Sequence, residues 1–168
     1  MDTTIADDAD LNTAEKLGAH LHGPMSVRLW LRMLSCTMVV EKRLRRRFIE
    51  QFDTTLPRFD VLAALDRQDA GISMGELSQL LLVSNGNVTA IVRQLQSDGL
   101  VDVDAAKHDR RSLIVTMTAR GRASFADMAA AHHLWLGRMF GGVPEDVLEQ
   151  LFALLAKVKS SIAQENAR

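Results

Sequence analysis

The fold is decided by residues 73–99, which read SMGELSQLLLVSNGNVTAIVRQLQSDG. Ser73 and Glu76 form a capping-box pattern, in which a hydroxyl and a carboxylate each satisfy a backbone N–H group at the start of a helix. Ser84 can cap a second helix, and Asp98-Gly99 provides its stop because glycine readily ends a helix. Two short helices joined by so tight a turn predict a helix-turn-helix.

The second helix has two chemically different faces. Its apolar face is formed by Val88, Ile91, Val92 and Leu95. The other side carries small or hydrogen-bonding groups, which let a helix approach a major groove, and Gly86 lets the backbone approach a phosphate. The residues of this helix that we expect to contact DNA are Ser84, Asn85, Gly86, Asn87, Thr89 and Arg93. The alternative interpretation is an ordinary solvated face.

A charged hairpin follows the second helix. Residues 100–104 alternate as a strand, and residues 113–115 return as a second strand. The tip residues that we expect to contact DNA are Lys107, His108, Asp109, Arg110 and Arg111. Asp109 is two residues before Arg111, so it is placed to orient that guanidinium group through charge-assisted hydrogen bonds. The alternative is a solvated turn with a surface ion pair.

Two segments resemble the MarR family of winged-helix transcription regulators. They are LQSDGLV at residues 95–101 and DRRSLIVTMTARG at residues 109–121. The resemblance implies a dimer and makes Asp109 and Arg111 the wing pair. It extends more loosely over residues 25–162. Many relatives have Thr-Arg in the middle of the recognition helix, whereas this chain has Thr89-Ala90.

The composition favours helices. The chain has 168 residues, 47% of them hydrophobic and only 5% aromatic, with no tyrosine. Together with the motif, this predicts a mainly α fold: a winged helix-turn-helix with N- and C-terminal dimerisation helices and a two- or three-stranded wing. No signal-like or membrane-spanning apolar stretch is present, so we expect a cytoplasmic protein with no membrane contact.

The charge balance sets a condition on DNA binding. The net charge is −1, and residues 57–122 hold equal numbers of acidic and basic side chains. Each monomer should therefore make few phosphate contacts, and a dimer that doubles them becomes necessary.

The domain organisation follows from where apolar helices flank the motif. We expect an acidic, largely flexible extension over residues 1–23, a helical dimerisation lobe over 24–56 and 122–168, and a DNA-binding lobe over 57–121. The flanking helices are more apolar than one lobe can bury, so they predict a homodimer. Its two recognition helices would match a pseudo-palindromic operator in double-stranded DNA.

The first long helix carries arginines that predict an effector site. An aromatic ring and guanidinium groups lie in an otherwise apolar segment, and a basic cluster follows at residues 42–47. The residues that we expect to contact a small anionic aromatic effector, either an aromatic acid or its coenzyme A thioester, are Arg28, Trp30, Arg32, Arg46 and Arg47. The alternative for the basic cluster is a solvated helix end. The predicted function is a ligand-responsive repressor of an aromatic-compound catabolic operon.

Other classes of function have weaker support. A helical scaffold or protein-interaction module with a winged fold is one alternative, and a redox-sensing regulator that uses Cys36 is another. The apolar neighbours of Cys36 favour a buried small hydrophobe instead. His20, His22, His132 and His133 lack the spacing of a metal site and are better interpreted as helix-end or surface residues. The chain has no catalytic or phosphate-loop motif, so we expect no enzyme, no metal and no cofactor.

Overall fold

The computed structural model describes residues 23–68, 70–106 and 109–165. These residues form a mainly helical chain with one small sheet, which confirms the predicted fold class. The helices are α1 (Met25–Phe52), α2 (Leu56–Asp66), α3 (Met74–Leu81), α4 (Asn85–Ser97), α5 (Ala119–Phe140) and α6 (Glu145–Glu165). The strands are β1 (Ile72–Ser73), β2 (Val101–Ala106) and β3 (Asp109–Met117). The predicted N-terminal extension, apart from Gly23, lies outside the described residues.

The sheet is antiparallel with the order β1–β3–β2. Val115 of β3 lies between Ile72 of β1 and Val103 of β2. The strands of the hairpin extend beyond the predicted ends at residues 104 and 115, because backbone pairing continues through polar positions such as Thr116. A register shift at Ala105/Ala106 precedes the tip.

The described residues divide into two compact units between His132 and His133, a point that lies within α5. The core of the first unit is aliphatic, with one aromatic cluster. Its largest fully buried side chains are Phe48, Val61, Leu62, Leu77, Val88, Val92, Leu95, Val101 and Val115. The domain boundaries at residues 57 and 122 stay a prediction.

The aromatic cluster includes a histidine that the sequence interpretation placed at a surface. The ring centroid of His132 lies 6.2 Å from that of Phe48 and 4.9 Å from that of Phe59. Phe59 also contacts Phe125 at 5.5 Å. His132 is half-buried, so the expectation of a helix-end or surface histidine is wrong at this position. The reason is that α5 brings it against α1 and α2.

Helices α1 and α6 expose large apolar side chains. On α1, Trp30 is 57% exposed and Met38 is 56% exposed; on α6, Phe152 is 80% exposed. Cys36 is exposed in the single chain as well, so the expectation of a buried small residue is not met there. In the part of the chain that the structure describes, no helix combines the length and the apolar character needed to span a membrane.

Candidate nucleic-acid interface

The first helix of the helix-turn-helix, α3, begins with a complete capping box. The Ser73 hydroxyl accepts a hydrogen bond from the Glu76 N–H at 3.2 Å, and the Glu76 carboxylate accepts one from the Ser73 N–H at 2.9 Å. The bonds from Ser73 favour the ionised carboxylate and therefore lower the pKa of Glu76. Because Ser73 also pairs with Ile114 of β3, the capping box fixes the point where α3 leaves the sheet.

The second helix, α4, begins at the predicted cap. Ser84 has an extended backbone, and its hydroxyl accepts a hydrogen bond from the Asn87 N–H at 3.4 Å. Ser84, Asn85, Gly86 and Asn87 are all exposed. The positive end of the helix dipole is therefore accessible near Asn85 and Gly86, whose N–H groups precede the one that Ser84 caps, and this combination favours a phosphate group.

The two faces of α4 are separated as the sequence predicts. Val88, Val92 and Leu95 are buried, whereas Arg93 is exposed. Thr89 is half-buried, and its hydroxyl donates a hydrogen bond to the Asn85 carbonyl oxygen at 2.8 Å. The Thr89 oxygen keeps the capacity to accept a further hydrogen bond. Contact between this face and DNA stays a prediction.

Gly86 has no packing reason to be glycine. A β-carbon placed on it would meet no atom within 4 Å, because the residue is exposed in the first turn of α4. Glycine lowers helix stability at such a position. A close approach of another molecule to the backbone is the physical reason that fits an exposed helix start.

Thr118 joins the end of α4 to the base of the wing. Its hydroxyl donates a hydrogen bond to the Gly99 carbonyl oxygen at 2.8 Å and accepts one from the Gly121 N–H at 2.9 Å. The Leu100 N–H in turn donates to the Leu95 carbonyl oxygen at 2.9 Å. These bonds hold the hairpin at a fixed direction from α4. This role of Thr118 was not predicted from the sequence.

The tip of the wing is described only in part. Asp109 begins β3 and pairs with Ala106, so the backbone of Asp109, Arg110 and Arg111 belongs to the hairpin. Lys107 and His108 lie outside the described residues, as do the side chains of residues 109–111. The orienting role of Asp109 toward Arg111 therefore stays a prediction.

A contact that the sequence interpretation missed holds the other end of α4. The Arg58 guanidinium group, near the start of α2, donates a hydrogen bond to the Asp98 carboxylate at the C-cap of α4. The side chain of Arg58 is 17% exposed and that of Asp98 is 46% exposed. The two residues are 40 positions apart, so only the fold brings them together.

The candidate effector residues all lie on α1. Arg28, Trp30 and Arg32 are exposed in its first half, and Arg46 and Arg47 are half-buried in its second half. The Arg46 guanidinium group lies 3.9 Å from the Glu50 carboxylate. Because α1 is unbroken and rises about 1.5 Å per residue, Arg32 and Arg46 are roughly 21 Å apart along its axis.

Within residues 23–68, 70–106 and 109–165, no three or more histidine, cysteine, aspartate and glutamate side chains come together in a group that could hold a metal ion. His20 and His22 lie outside the described residues.

Comparisons with known proteins agree on one family. The family model described as "MarR family" matches residues 52–112. The transcriptional activatory protein BadR from Rhodopseudomonas palustris is 37% identical over 97 residues, which are 56% of this chain and 55% of BadR. The chain spans between 51% and 61% of the length of the first three curated relatives that it matches.

Two solved structures are similar to most of this chain, and the similarity covers nearly the whole of each of those two proteins. A MarR family transcriptional regulator from Silicibacter pomeroyi is 31% identical with a TM-score of 0.71, covering 82% of this chain and 94% of that chain. CouR from Rhodococcus jostii RHA1, bound to p-coumaroyl-CoA, is 20% identical with a TM-score of 0.68, covering 80% of this chain and 94% of CouR. The likeness to CouR shows the fold alone. The identity to the Silicibacter protein over almost its full length, together with the winged helix-turn-helix, shows that the chain belongs to the MarR family of transcriptional regulators and not to a family of enzymes.

Proposed function

We propose that the protein is a sequence-specific regulator that binds double-stranded DNA in the cytoplasm through α4 and the wing. The observation that supports this most directly is the arrangement of α4. Its apolar residues are buried in the core of the first unit, to which α4 belongs. Its capped N-terminus is exposed, and both of its ends are held by side-chain hydrogen bonds. A rigid helix that presents amides, a hydroxyl and a guanidinium group can read base edges in a major groove.

The same protein acts as a homodimer. Large apolar side chains on α1 and α6 are exposed in a single chain, and Phe152 is 80% exposed. Exposed apolar side chains of this size, on α1 and on α6 taken separately, are typical of helices that pack against a partner chain. A twofold dimer places two copies of α4 on one duplex and doubles the phosphate contacts, which a chain with a net charge of −1 needs.

Selection of bound duplexes from a fragmented genomic library tests the DNA-binding function. We expect the purified wild-type dimer to retain fragments that share a pseudo-palindrome. Arg93→Ala, on the exposed face of α4, should weaken binding to the selected duplex by about 1–3 kcal/mol. Arg67→Ala is the matched control, because Arg67 is an exposed arginine at the C-cap of α2. Equal losses in the two variants contradict the assignment of the α4 face.

The effector of this regulator is a small anionic aromatic compound, with the coenzyme A thioester of an aromatic acid preferred over the free acid. Trp30 offers an exposed ring two positions from Arg28 and from Arg32 in the first half of α1. The axial separation of roughly 21 Å from Arg32 to Arg46 exceeds the length of a simple aromatic acid. An extended thioester can contact both regions. The fold neighbour CouR is bound to p-coumaroyl-CoA, which supports the same ligand class.

Binding of the effector releases the operator of an aromatic-compound catabolic operon, which the protein represses. Release requires the ligand to bind more tightly to a dimer whose two copies of α4 no longer match the DNA spacing. A second candidate, activation of transcription, is favoured by the relative BadR, which is named a transcriptional activatory protein. A reporter gene fused to the selected operator separates the two, since deletion of the regulator raises expression under repression and lowers it under activation.

Calorimetric titration with paired free acids and thioesters tests the effector class. Arg46→Ala and Arg47→Ala should weaken thioester binding by tenfold or more and leave acid binding within about twofold, because charged hydrogen bonds to phosphate contribute about 1.5–3 kcal/mol. Arg45→Ala is the matched control, since Arg45 pairs with Glu41 at 3.1 Å and is not assigned to the effector. Equal losses for acid and thioester contradict a phosphate seat at Arg46 and Arg47.

A further inference from the structure

Leu82, in the turn between α3 and α4, combines two unfavourable properties. Its backbone is left-handed, with φ of 54°, and its side chain is 92% exposed. The left-handed conformation crowds a β-carbon, so glycine is the usual residue at such helix ends and in helix-turn-helix turns. An exposed leucine gains no burial that offsets this cost. Within the chain itself, glycine is the more stable choice at position 82.

The other left-handed residue that is not glycine, among those described, provides a contrast. Asp53 follows α1 with φ of 47°. Aspartate tolerates this conformation far better than leucine does. Non-glycine residues held in unfavourable backbone regions are concentrated at functional sites. The leucine side chain, and not the backbone alone, is therefore the feature that needs a cause.

Three hydrogen bonds fix the backbone on either side of Leu82, and with it the direction of the Cα–Cβ bond. The Leu82 N–H donates to the Gln79 carbonyl oxygen at 3.3 Å, and the Val83 N–H donates to the Ser78 carbonyl oxygen at 3.2 Å. The Ser78 hydroxyl also donates to the Val83 carbonyl oxygen at 2.6 Å. A backbone held in so constrained a turn loses little conformational entropy when it meets another molecule.

Leu82 lies beside the start of the helix that we propose to read DNA. It lies two residues before Ser84, the N-cap of α4, and the N-terminal end of a recognition helix is the part that enters the major groove. Apolar side chains there contact the thymine methyl group. Val83, the next residue, is also exposed.

We propose that Leu82 is a DNA-contacting residue whose side chain lies against an apolar group of the duplex, either a thymine methyl or a deoxyribose, beside the bases read by α4. This inference rests on the proposed DNA-binding function. The strain at Leu82 is retained because the contact made by its side chain contributes to operator affinity.

Two substitutions at position 82 separate the side chain from the strain. Leu82→Gly removes both, and Leu82→Ala removes the side chain but keeps a β-carbon in the left-handed backbone. We expect both variants to bind the selected duplex about five- to twentyfold more weakly than wild type. Leu82→Gly should also raise the unfolding temperature by about 2–6 °C, whereas Leu82→Ala should not.

Leu80→Ala is the matched control, because Leu80 is 60% exposed on α3 and lines a separate cleft with Gly71 and Ile72. We expect its affinity for the duplex to stay within about twofold of wild type. If both Leu82 variants also bind the duplex within twofold of wild type, Leu82 does not contact DNA. Its exposed side chain then either lies in an interface with another protein or has no functional role.

Duplexes with uracil in place of single thymines distinguish the two apolar groups. If Leu82 contacts a thymine methyl group, the uracil duplex that lacks this methyl should bind wild type more weakly, whereas its affinity for Leu82→Ala should not change. If Leu82 contacts a deoxyribose, every uracil duplex should bind wild type as tightly as the parent duplex does, and Leu82→Ala should still bind weakly. Either result supports the proposal. If wild type selects no duplex at all, the proposed function fails, and this inference fails with it.

Discussion

Arg58 and Asp98 form an ion pair between the start of α2 and the C-cap of α4. A carboxylate at a helix C-terminus is disfavoured by the helix dipole, so Asp98 depends on Arg58 for a favourable environment. We expect Asp98→Asn to lower the free energy of unfolding by about 1–2 kcal/mol, because Arg58 is largely buried and loses its charged partner. Urea unfolding measures this directly.

The helix dipole alone predicts that Asp98→Asn raises the free energy of unfolding, because it removes a negative charge from the C-terminal end of α4. If Asp98→Asn stabilises the protein, the ion pair contributes less than the dipole costs, and the account of this end of α4 is wrong. A double-mutant cycle with Arg58→Met should give a coupling energy of about 1 kcal/mol or more.

Gly121 is required by a close approach at the start of α5. A β-carbon on Gly121 would overlap the Leu100 carbonyl oxygen and lie 2.8 Å from Met117 Cγ. We expect Gly121→Ala to lower the free energy of unfolding by about 1–3 kcal/mol. Gly75→Ala is the control, because Gly75 is exposed on α3 with nothing within 4 Å, and its free energy of unfolding should rise or stay constant. Equal effects at the two glycines contradict the steric argument.

The carboxyl group of Asp60 on α2 makes the free energy of unfolding depend on pH. Burial, and then the charge of Glu41, raise the pKa of Asp60 from 3.8 to about 6, although Arg45 acts in the opposite direction. A raised carboxyl pKa means that the folded state is penalised when the group ionises. The penalty is absent below about pH 3.8, grows between pH 3.8 and 6, and is complete above that range.

Asp60→Asn removes this penalty. After allowance for solvent screening, we expect it to raise the free energy of unfolding by about 1–2 kcal/mol at pH 7.5 and to leave it unchanged near pH 4. Urea unfolding of both proteins across this range measures the difference. Asp66→Asn, at an exposed position of the same helix, is the control. A gain from Asp60→Asn that is equal at pH 4 and pH 7.5 excludes the titration of Asp60 as its cause.

Gly86→Ala should separate stability from DNA binding. The added methyl group meets nothing within the chain and favours the helix, so the free energy of unfolding should rise by about 0.5–1 kcal/mol. Affinity for the selected duplex should fall, because the methyl group blocks the approach of a phosphate to the helix start. Unchanged affinity, measured by fluorescence anisotropy, means that no phosphate lies against Gly86.

Arg111→Ala should weaken DNA binding by about 1–3 kcal/mol, as expected for a guanidinium group seated in a groove. Asp109→Ala should weaken it too, because Asp109 is predicted to orient Arg111. Simple electrostatics predicts tighter binding when a negative charge near DNA is removed. Tighter binding by Asp109→Ala therefore refutes the orienting role.

The parts of the fold that local chemistry determines could be predicted from the sequence. The capping residues Ser73 and Ser84 and the stop at Gly99, which has φ of 69°, act within a few positions of the chain. Periodicity then shows which face of α4 is buried. These signals place the helix-turn-helix because each depends only on neighbouring residues.

The missed features depend on contacts between distant residues. The strand β1 has two residues and exists only because Ile72 pairs with Val115. The Arg58–Asp98 ion pair and the aromatic contacts of His132 also join separate elements. The left-handed backbone of Leu82 follows from the geometry of the turn, and no residue pattern marks a leucine for that conformation.

The salt dependence of operator binding is the decisive measurement for a DNA-binding dimer. A dimer that places two copies of α4 and two wings on DNA displaces condensed counterions, so the logarithm of its affinity for the selected duplex should fall linearly with the logarithm of salt concentration. With about three to five phosphate contacts per monomer, the predicted slope is between about −5 and −9. A slope near zero, or binding by a monomer with no preference for the selected sequence, contradicts the account.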